Sequence, residues 1–282
     1  MSASHQSPLP RARFAIAGAT GRVGATLANL LAADGVDVVA LTRRPDEIRA
    51  SAGVAVASVD FDRKETLQDA LRGVDRFFLS HGTSPRQVEN EIALIDAAVA
   101  PAFVISYPFA WHMQIEAHLA RQPVASTAIR PSAYADVLKL AGPEIAAGAW
   151  TGAAGGGRVN FIDTSDIAKV AQVALFEDVS PESQRAYHLT GPRAWTMHEV
   201  AEALSSLLGR QVIYNHCSPG ERRSALLAGG KPPLVADLLV GLDQVFRESV
   251  LAETTLTVQE LTGEPPRPLT AWLTENKSAF TS

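Results

Sequence analysis

Through the first half of the chain, short runs of β-branched and aromatic residues alternate with stretches of helical period. This is the rhythm of a parallel sheet with helical crossovers. RFAIA (13–17) predicts a first strand, and a glycine-rich turn follows it. Val23, Leu27, Leu30 and Leu31 then fall on one face of a helix that Gly35 should stop. VDVVAL (36–41), VAVASVD (54–60) and RFFLS (76–80) predict strands two to four. Ser84, Pro85 and Gln87 predict a capped helix start, with Val88, Ile92, Ile95 and Val99 as its buried stripe. AFVIS (102–106) and STAIRP (126–131) predict the fifth and sixth strands, and WHMQIEAHL (111–119) lies on the helix between them.

After Pro131 the pattern loosens. The glycines of TGAAGGG (151–157) predict a flexible loop, and RVNFID a strand before the helix opened by Asp163–Asp166. From about Gln184 the rhythm changes to short strands and helices. One of these, TMHEVAEALSSLLG, has Thr196 and Glu199 as a capping box and Gly209 as its stop. The expected organisation is a tail over 1–12, a nucleotide-binding domain over 13–183 and a smaller α/β lobe over 184–282. That lobe should pack over the C-terminal edge of the sheet and take pocket residues from 131–157. The fold class is α/β, with a doubly wound parallel Rossmann sheet.

Composition narrows the function. The 282 residues are 46% hydrophobic and carry a formal net charge of −5 without blocks of like sign. A packed globular protein is expected, with no nucleic-acid partner. The one cysteine, Cys217, excludes an internal disulfide framework and suits a reducing cytoplasm. The polar start MSASHQSPLP lacks an apolar segment, and no run is long enough to span a bilayer, so no membrane association is expected. An amphipathic C-terminal helix suits either the lobe or a homodimer contact.

The strongest chemical signal is GATGRVG (18–24), set between a strand and a helix. Gly18 allows the tight exit, Gly21 lets main-chain amides approach a diphosphate, and Gly24 permits close packing. Thr20, Arg22 and Val23 complete this cradle. After the second strand, where NAD-binding chains place a carboxylate, this chain has Arg43 and Arg44. A guanidinium matches a 2′-phosphate, so NADP(H) is favoured over NAD(H). Asp60 and Phe61 are placed to receive the adenine amino group and flank its ring. Ser80, His81 and Gly82 end the fourth strand near the middle of the coenzyme. Ser106 and Pro131, at the ends of strands five and six, join the coenzyme-binding set.

With LTRRP, HMQIEAHL, STAIRPSAY, FIDTSDIAKVAQVAL and YHLTGPRAWTMHEVAEALSSLLGR, the chain resembles the NmrA-like, atypical branch of the short-chain dehydrogenase/reductase superfamily. The resemblance implies a Rossmann sheet with a small C-terminal substrate lobe, and NAD(P) binding. It includes NADPH-dependent reductases of quinones and proteins that bind the nucleotide without turnover. Most of the superfamily uses Tyr-x-x-x-Lys, and this chain has His112 and Glu116 at that place. His112, oriented by Glu116, is a candidate proton donor, and Tyr107 and Tyr134 are two others. The alternative is that His112 and Glu116 only line the wet edge of the site. His118 falls about 240° round the helix from His112, so no metal is expected. Phe109, Trp111, Trp150 and Trp195 are candidates for apolar surface around the substrate.

These residues predict an NADPH-dependent reductase of a quinone, enone or ketone in a hydrophobic small molecule. The alternatives are an NAD(P)-sensing regulatory binder, and an isomerase or lyase that uses the nucleotide without net redox.

Overall fold

The computed structural model describes residues 12–48, 51–80, 84, 86–98, 102–106, 110–180 and 183–281. In chain order the elements begin with β1 (Arg13–Ala17), α1 (Arg22–Ala33), β2 (Asp37–Thr42), β3 (Val54–Ser58), α2 (Lys64–Ala70) and β4 (Arg76–Leu79). Then come α3 (Gln87–Ala97), β5 (Ala102–Ser106), α4 (Ala110–Leu119), β6 (Ala125–Pro131) and β7 (Ala133–Tyr134). The middle holds α5 (Gly142–Ala146), β8 (Ala149–Gly152), β9 (Val159–Ile162), α6 (Thr164–Phe176) and β10 (Gln184–Leu189). After these run β11 (Ala194–Trp195), α7 (Met197–Leu208), β12 (Ile213–His216), α8 (Pro219–Ala228), α9 (Pro233–Arg247), α10 (Thr257–Thr262) and α11 (Leu269–Glu275).

The chain divides into two compact units. One runs through Arg130 and adds Ile167–Tyr187, and the other holds Pro131–Asp166 and His188–Ser282. Residues 131–166, which the sequence reading places in the nucleotide-binding domain, therefore cluster with the second unit.

The first unit is built on a sheet of order β10-β6-β5-β4-β1-β2-β3. From β3 to β6 every neighbouring pair is parallel. In register, Phe14 faces Val38 on one side and Arg76 on the other. Strand order reverses between β1 and β4, and the carboxyl ends of those strands are where open α/β sheets bind ligands. β1 and β2 are buried over almost their full length, as parallel strands covered on both faces must be. Edge strand β3 is half-buried or exposed throughout. The core gathers Val39, Leu67, Phe77, Leu79, Leu94 and Ile115.

Three expectations in this unit are corrected. Gln184–Leu189, read as the start of the lobe, is the edge strand beside β6. The buried face of α3 is Gln87, Asn90, Glu91, Leu94 and Ile95, while Val88 and Ile92 are only half-buried. The capping box at Ser84 does not form either. Gln87 donates its amide N–H to the Ser84 carbonyl at 3.1 Å, and its side chain turns inward.

The second unit has a three-stranded sheet, β11-β9-β7, and a parallel pair, β12-β8. Ile145, Trp150, Phe161, Val200, Leu204 and Trp272 meet in its core. α7 has the expected capping box between Thr196 and Glu199, with Gly209 as its left-handed stop. A cap of this kind contributes about 1 kcal/mol. TGAAGGG is more ordered than its glycines suggest. Thr151 and Gly152 end β8, the Ala153 amide donates to Asp243 Oδ2 at 3.0 Å, and the Ala154 amide donates to the Tyr214 hydroxyl at 3.0 Å.

Candidate functional site

β1 delivers the chain into the glycine turn, and bare backbone is required there twice. Gly18 has φ +78°, and a Cβ on it would lie 1.9 Å from the Ser80 carbonyl oxygen at the end of β4. A Cβ on Gly24 would lie 2.3 Å from the Gly18 oxygen. Gly24 thus packs on the turn itself, and Ser80 contributes its main chain. The Gly21 amide closes the turn on the Gly18 carbonyl at 2.8 Å.

Gly21 is also the N-cap of α1. No side chain caps this helix, and its first turn holds no acidic residue. The first-turn amides, those of Val23 and Gly24 among them, have no acceptor within the helix. They add to the positive end of the helix dipole. Thr20, Gly21 and Arg22 are exposed, whereas the Val23 side chain is buried, so Val23 offers its backbone alone. A cradle of main-chain N–H groups that no described side chain caps fits a nucleotide diphosphate.

Beyond β2 and β3 lies a hollow of about 350 Å³, lined by Arg43, Asp60, Phe61, Asp62, Ser84, Arg86 and Asn90. It brings together three residues expected at the adenosine end: Arg43, Asp60 and Phe61. Arg44 is not part of its lining, and forms an ion pair with Glu47 at 2.9 Å. Sequence reasoning missed the wall from α3. Arg86 is held there by Asp62 at 3.0 Å and by Glu89 at 2.9 Å. The charged i,i+3 spacing of Arg86 and Glu89 was visible, but their approach to Asp62 needs the fold.

His112 and Glu116 share a helix and are spent differently. His112 is buried, at 3% exposure. Its Nε2 lies 3.0 Å from the Gln87 amide nitrogen, which also donates to Glu91 Oε1 at 2.8 Å. Gln87 thereby joins His112 of α4 to Glu91 on its own helix. Burial pushes the Glu91 carboxyl up to about 7, against the opposing pull of the Gln87 hydrogen bond. Glu116 takes both forks of Arg130, Nε at 3.0 Å and Nη2 at 2.7 Å. Its carboxylate is therefore committed to β6 rather than to orienting His112. His118 pairs with Asp96 of α3 at 2.7 Å.

Among the other expected residues, Ser106 ends β5 and Pro131 ends β6, where Pro131 is buried. Tyr134 stands in the second unit, half-buried on β7 and paired in register with Ile162. His81, Gly82, Tyr107 and Phe109 lie outside the described residues, as does almost all of the N-terminal tail. Trp150 and Trp195, candidates for substrate contact, are core residues at 5% and 6% exposure, and Arg193 stacks on the Trp195 ring at 3.4 Å. Trp111 is half-buried. Among the described residues no helix is long and apolar enough to cross a membrane.

Strand order, glycine cradle and hollow define a Rossmann-type nucleotide-binding protein. Comparison with known proteins specifies it further. Residues 10–119 match the model of the NmrA-like family. The chain is 31% identical over 280 residues to a (4-alkanoyl-5-oxo-2,5-dihydrofuran-3-yl)methyl phosphate reductase of Streptomyces griseus, covering 94% of this chain and 98% of that one. It is 30% identical, with the same coverage, to an NAD(P)H azoreductase of Xenophilus azovorans. Its fold superimposes on an NADPH-dependent quinone oxidoreductase of Escherichia coli, solved with NADPH, with a TM-score of 0.86, 26% identity and coverage of 94% and 99%. The chain belongs to the NmrA-like family.

Proposed function

We propose that this protein is an NADPH-dependent reductase that delivers hydride to a quinone, enone or ketone within a hydrophobic small molecule. That it is an NAD(P)H-dependent oxidoreductase agrees with its full-length likeness to reductases that share the fold. The observation that carries the reading is the bare-backbone glycine cradle before α1, with a hollow beyond β2 and β3 that Arg43 borders.

When bound, the coenzyme supplies the hydride. The protein's own part is to hold and orient it. Main-chain amides from Gly18 to Gly24 would take the diphosphate. Arg43 would pair with the 2′-phosphate, and Phe61 would flank the base. Hydride addition to a quinone leaves a phenolate-like oxygen, which needs one proton to complete the hydroquinone. Such an oxygen takes that proton from water or a weak donor, so the loss of Tyr-x-x-x-Lys is compatible with turnover. His112 fits a positioning role, joining α4 to α3 through Gln87. Glu116, neutralised by Arg130, fits the same kind of role.

The test is a panel of 1,4-quinones, enones and ketones incubated with the protein and NADPH, following loss of the reduced coenzyme. Turnover of at least one class, with NADPH preferred over NADH, is expected. Tight NADPH binding with no oxidation by any of the three classes would defeat the proposal.

A further inference from the structure

Two side chains that line the hollow each carry a buried polar atom that the fold leaves unanswered. Asn90 is buried on the α3 wall, and its Oδ1 has no hydrogen-bond partner. Ser84 Oγ, on the same wall, is buried and unpartnered as well. Buried polar atoms without partners are rare in folded proteins, because the lost hydration goes uncompensated. Two of them lining one hollow point to a ligand group that satisfies them.

The residue that sequence reasoning assigns to the adenine amino group spends one carboxylate oxygen on its own turn. Asp60 is exposed, and its Oδ1 accepts the Asp62 amide at 3.0 Å. The Thr66 hydroxyl accepts the Asp60 amide at 2.9 Å and donates to the Arg63 carbonyl at 2.7 Å. Asp60 therefore organises its own turn. Arg86 is likewise committed to Asp62 and Glu89.

We propose that Asn90, rather than Asp60, reads the base of the coenzyme. Asn90 Oδ1 accepts a hydrogen bond from the exocyclic amino group of adenine, and Phe61 flanks the ring. The Ser84 hydroxyl supplies a second polar contact. A carboxamide suits this task, since it sets an acceptor and a donor side by side in one plane. Adenine presents an amino donor beside a ring-nitrogen acceptor. A 6-oxopurine would set a carbonyl oxygen against the Asn90 oxygen and be disfavoured. The assignment rests on the reading of this hollow as the adenosine end of an NADPH site.

The test is titration calorimetry of the full chain with NADPH and with its deamino analogue, in which hypoxanthine replaces adenine. The wild-type protein should bind NADPH about tenfold more tightly than the analogue. Asn90→Leu should weaken NADPH binding and bring the two affinities within about twofold. Its preference for NADPH over NADH, which depends on Arg43, should persist. Asn90→Ser serves if the leucine variant does not fold. Equal wild-type affinities for the two bases would overturn the assignment, as would a base preference that survives the loss of Asn90. Either result leaves the reductase reading standing. Failure to bind any nicotinamide coenzyme would defeat both.

Discussion

Gly18 and Gly21 lie three residues apart in one turn and answer to different constraints. Gly18 is fixed by the fold, since its φ is positive and its missing Cβ makes room for the Ser80 carbonyl. Gly21 has an ordinary φ of −82°, and a Cβ there would meet only the Gly18 oxygen, at 3.1 Å. Gly18→Ala should therefore cost about 3 kcal/mol or more of stability, or prevent folding. Gly21→Ala should cost less than about 1 kcal/mol while weakening coenzyme binding about tenfold. Thermal unfolding and calorimetry separate the two effects, and equal destabilisation by both would contradict this division. His112 makes a second contrast. A true general acid contributes about 10²–10⁴-fold to rate. His112→Asn should slow quinone reduction by less than about tenfold and lower the melting temperature. A loss above a hundredfold, with a flattened pH–rate profile, would restore His112 as the proton donor.

At the scale of the element, α3 carries the main surprise, because its buried face begins with Gln87, Asn90 and Glu91. Within that polar stripe Gln87 bridges Glu91 to His112 of α4, while Asn90 Oδ1 finds no partner in the fold. The Glu91 carboxyl, raised from 4.5 to about 7, makes this packing sensitive to pH. Between those values the folded chain keeps a proton that the unfolded chain has lost. Stability must then fall as pH rises across that window and level off above it. The total is on the order of 3 kcal/mol. Urea unfolding at pH 5 and pH 8 should show this fall in the wild-type protein and much less of it in Glu91→Gln. A fall of equal size in both would place the pH dependence elsewhere.

For the molecule as a whole, a coenzyme that binds only the folded chain must stabilise it. NADPH at a hundred times its dissociation constant should add about 2.7 kcal/mol to the unfolding free energy. Arg43→Ala should lower NADPH affinity about ten- to hundredfold and leave NADH affinity within about threefold, removing about half or more of that gain at fixed NADPH. If Arg43→Ala leaves the NADPH-to-NADH ratio unchanged, the 2′-phosphate is held by other groups.

The features legible in the sequence are those encoded within a few neighbouring residues. The alternation that yields the parallel sheet was one of them. So were the glycine turn before α1, the arginines after β2, and the Thr196–Glu199 box with its Gly209 stop. Each depends on backbone geometry or on side chains within one turn of helix, so local order suffices to show it. What tertiary structure decided was the partner of each polar side chain. Glu116 reads as a companion to His112 four residues away, yet Arg130 of β6 claims it. Gln87 reads as a cap, yet it faces His112, 25 positions along the chain. The face of α3 that turns inward, and the grouping of 131–166 with the second unit, follow the same logic. Burial of a charged or amide group is favourable only where a distant segment supplies its complement, and which segment arrives there is settled by chain topology rather than by local pattern.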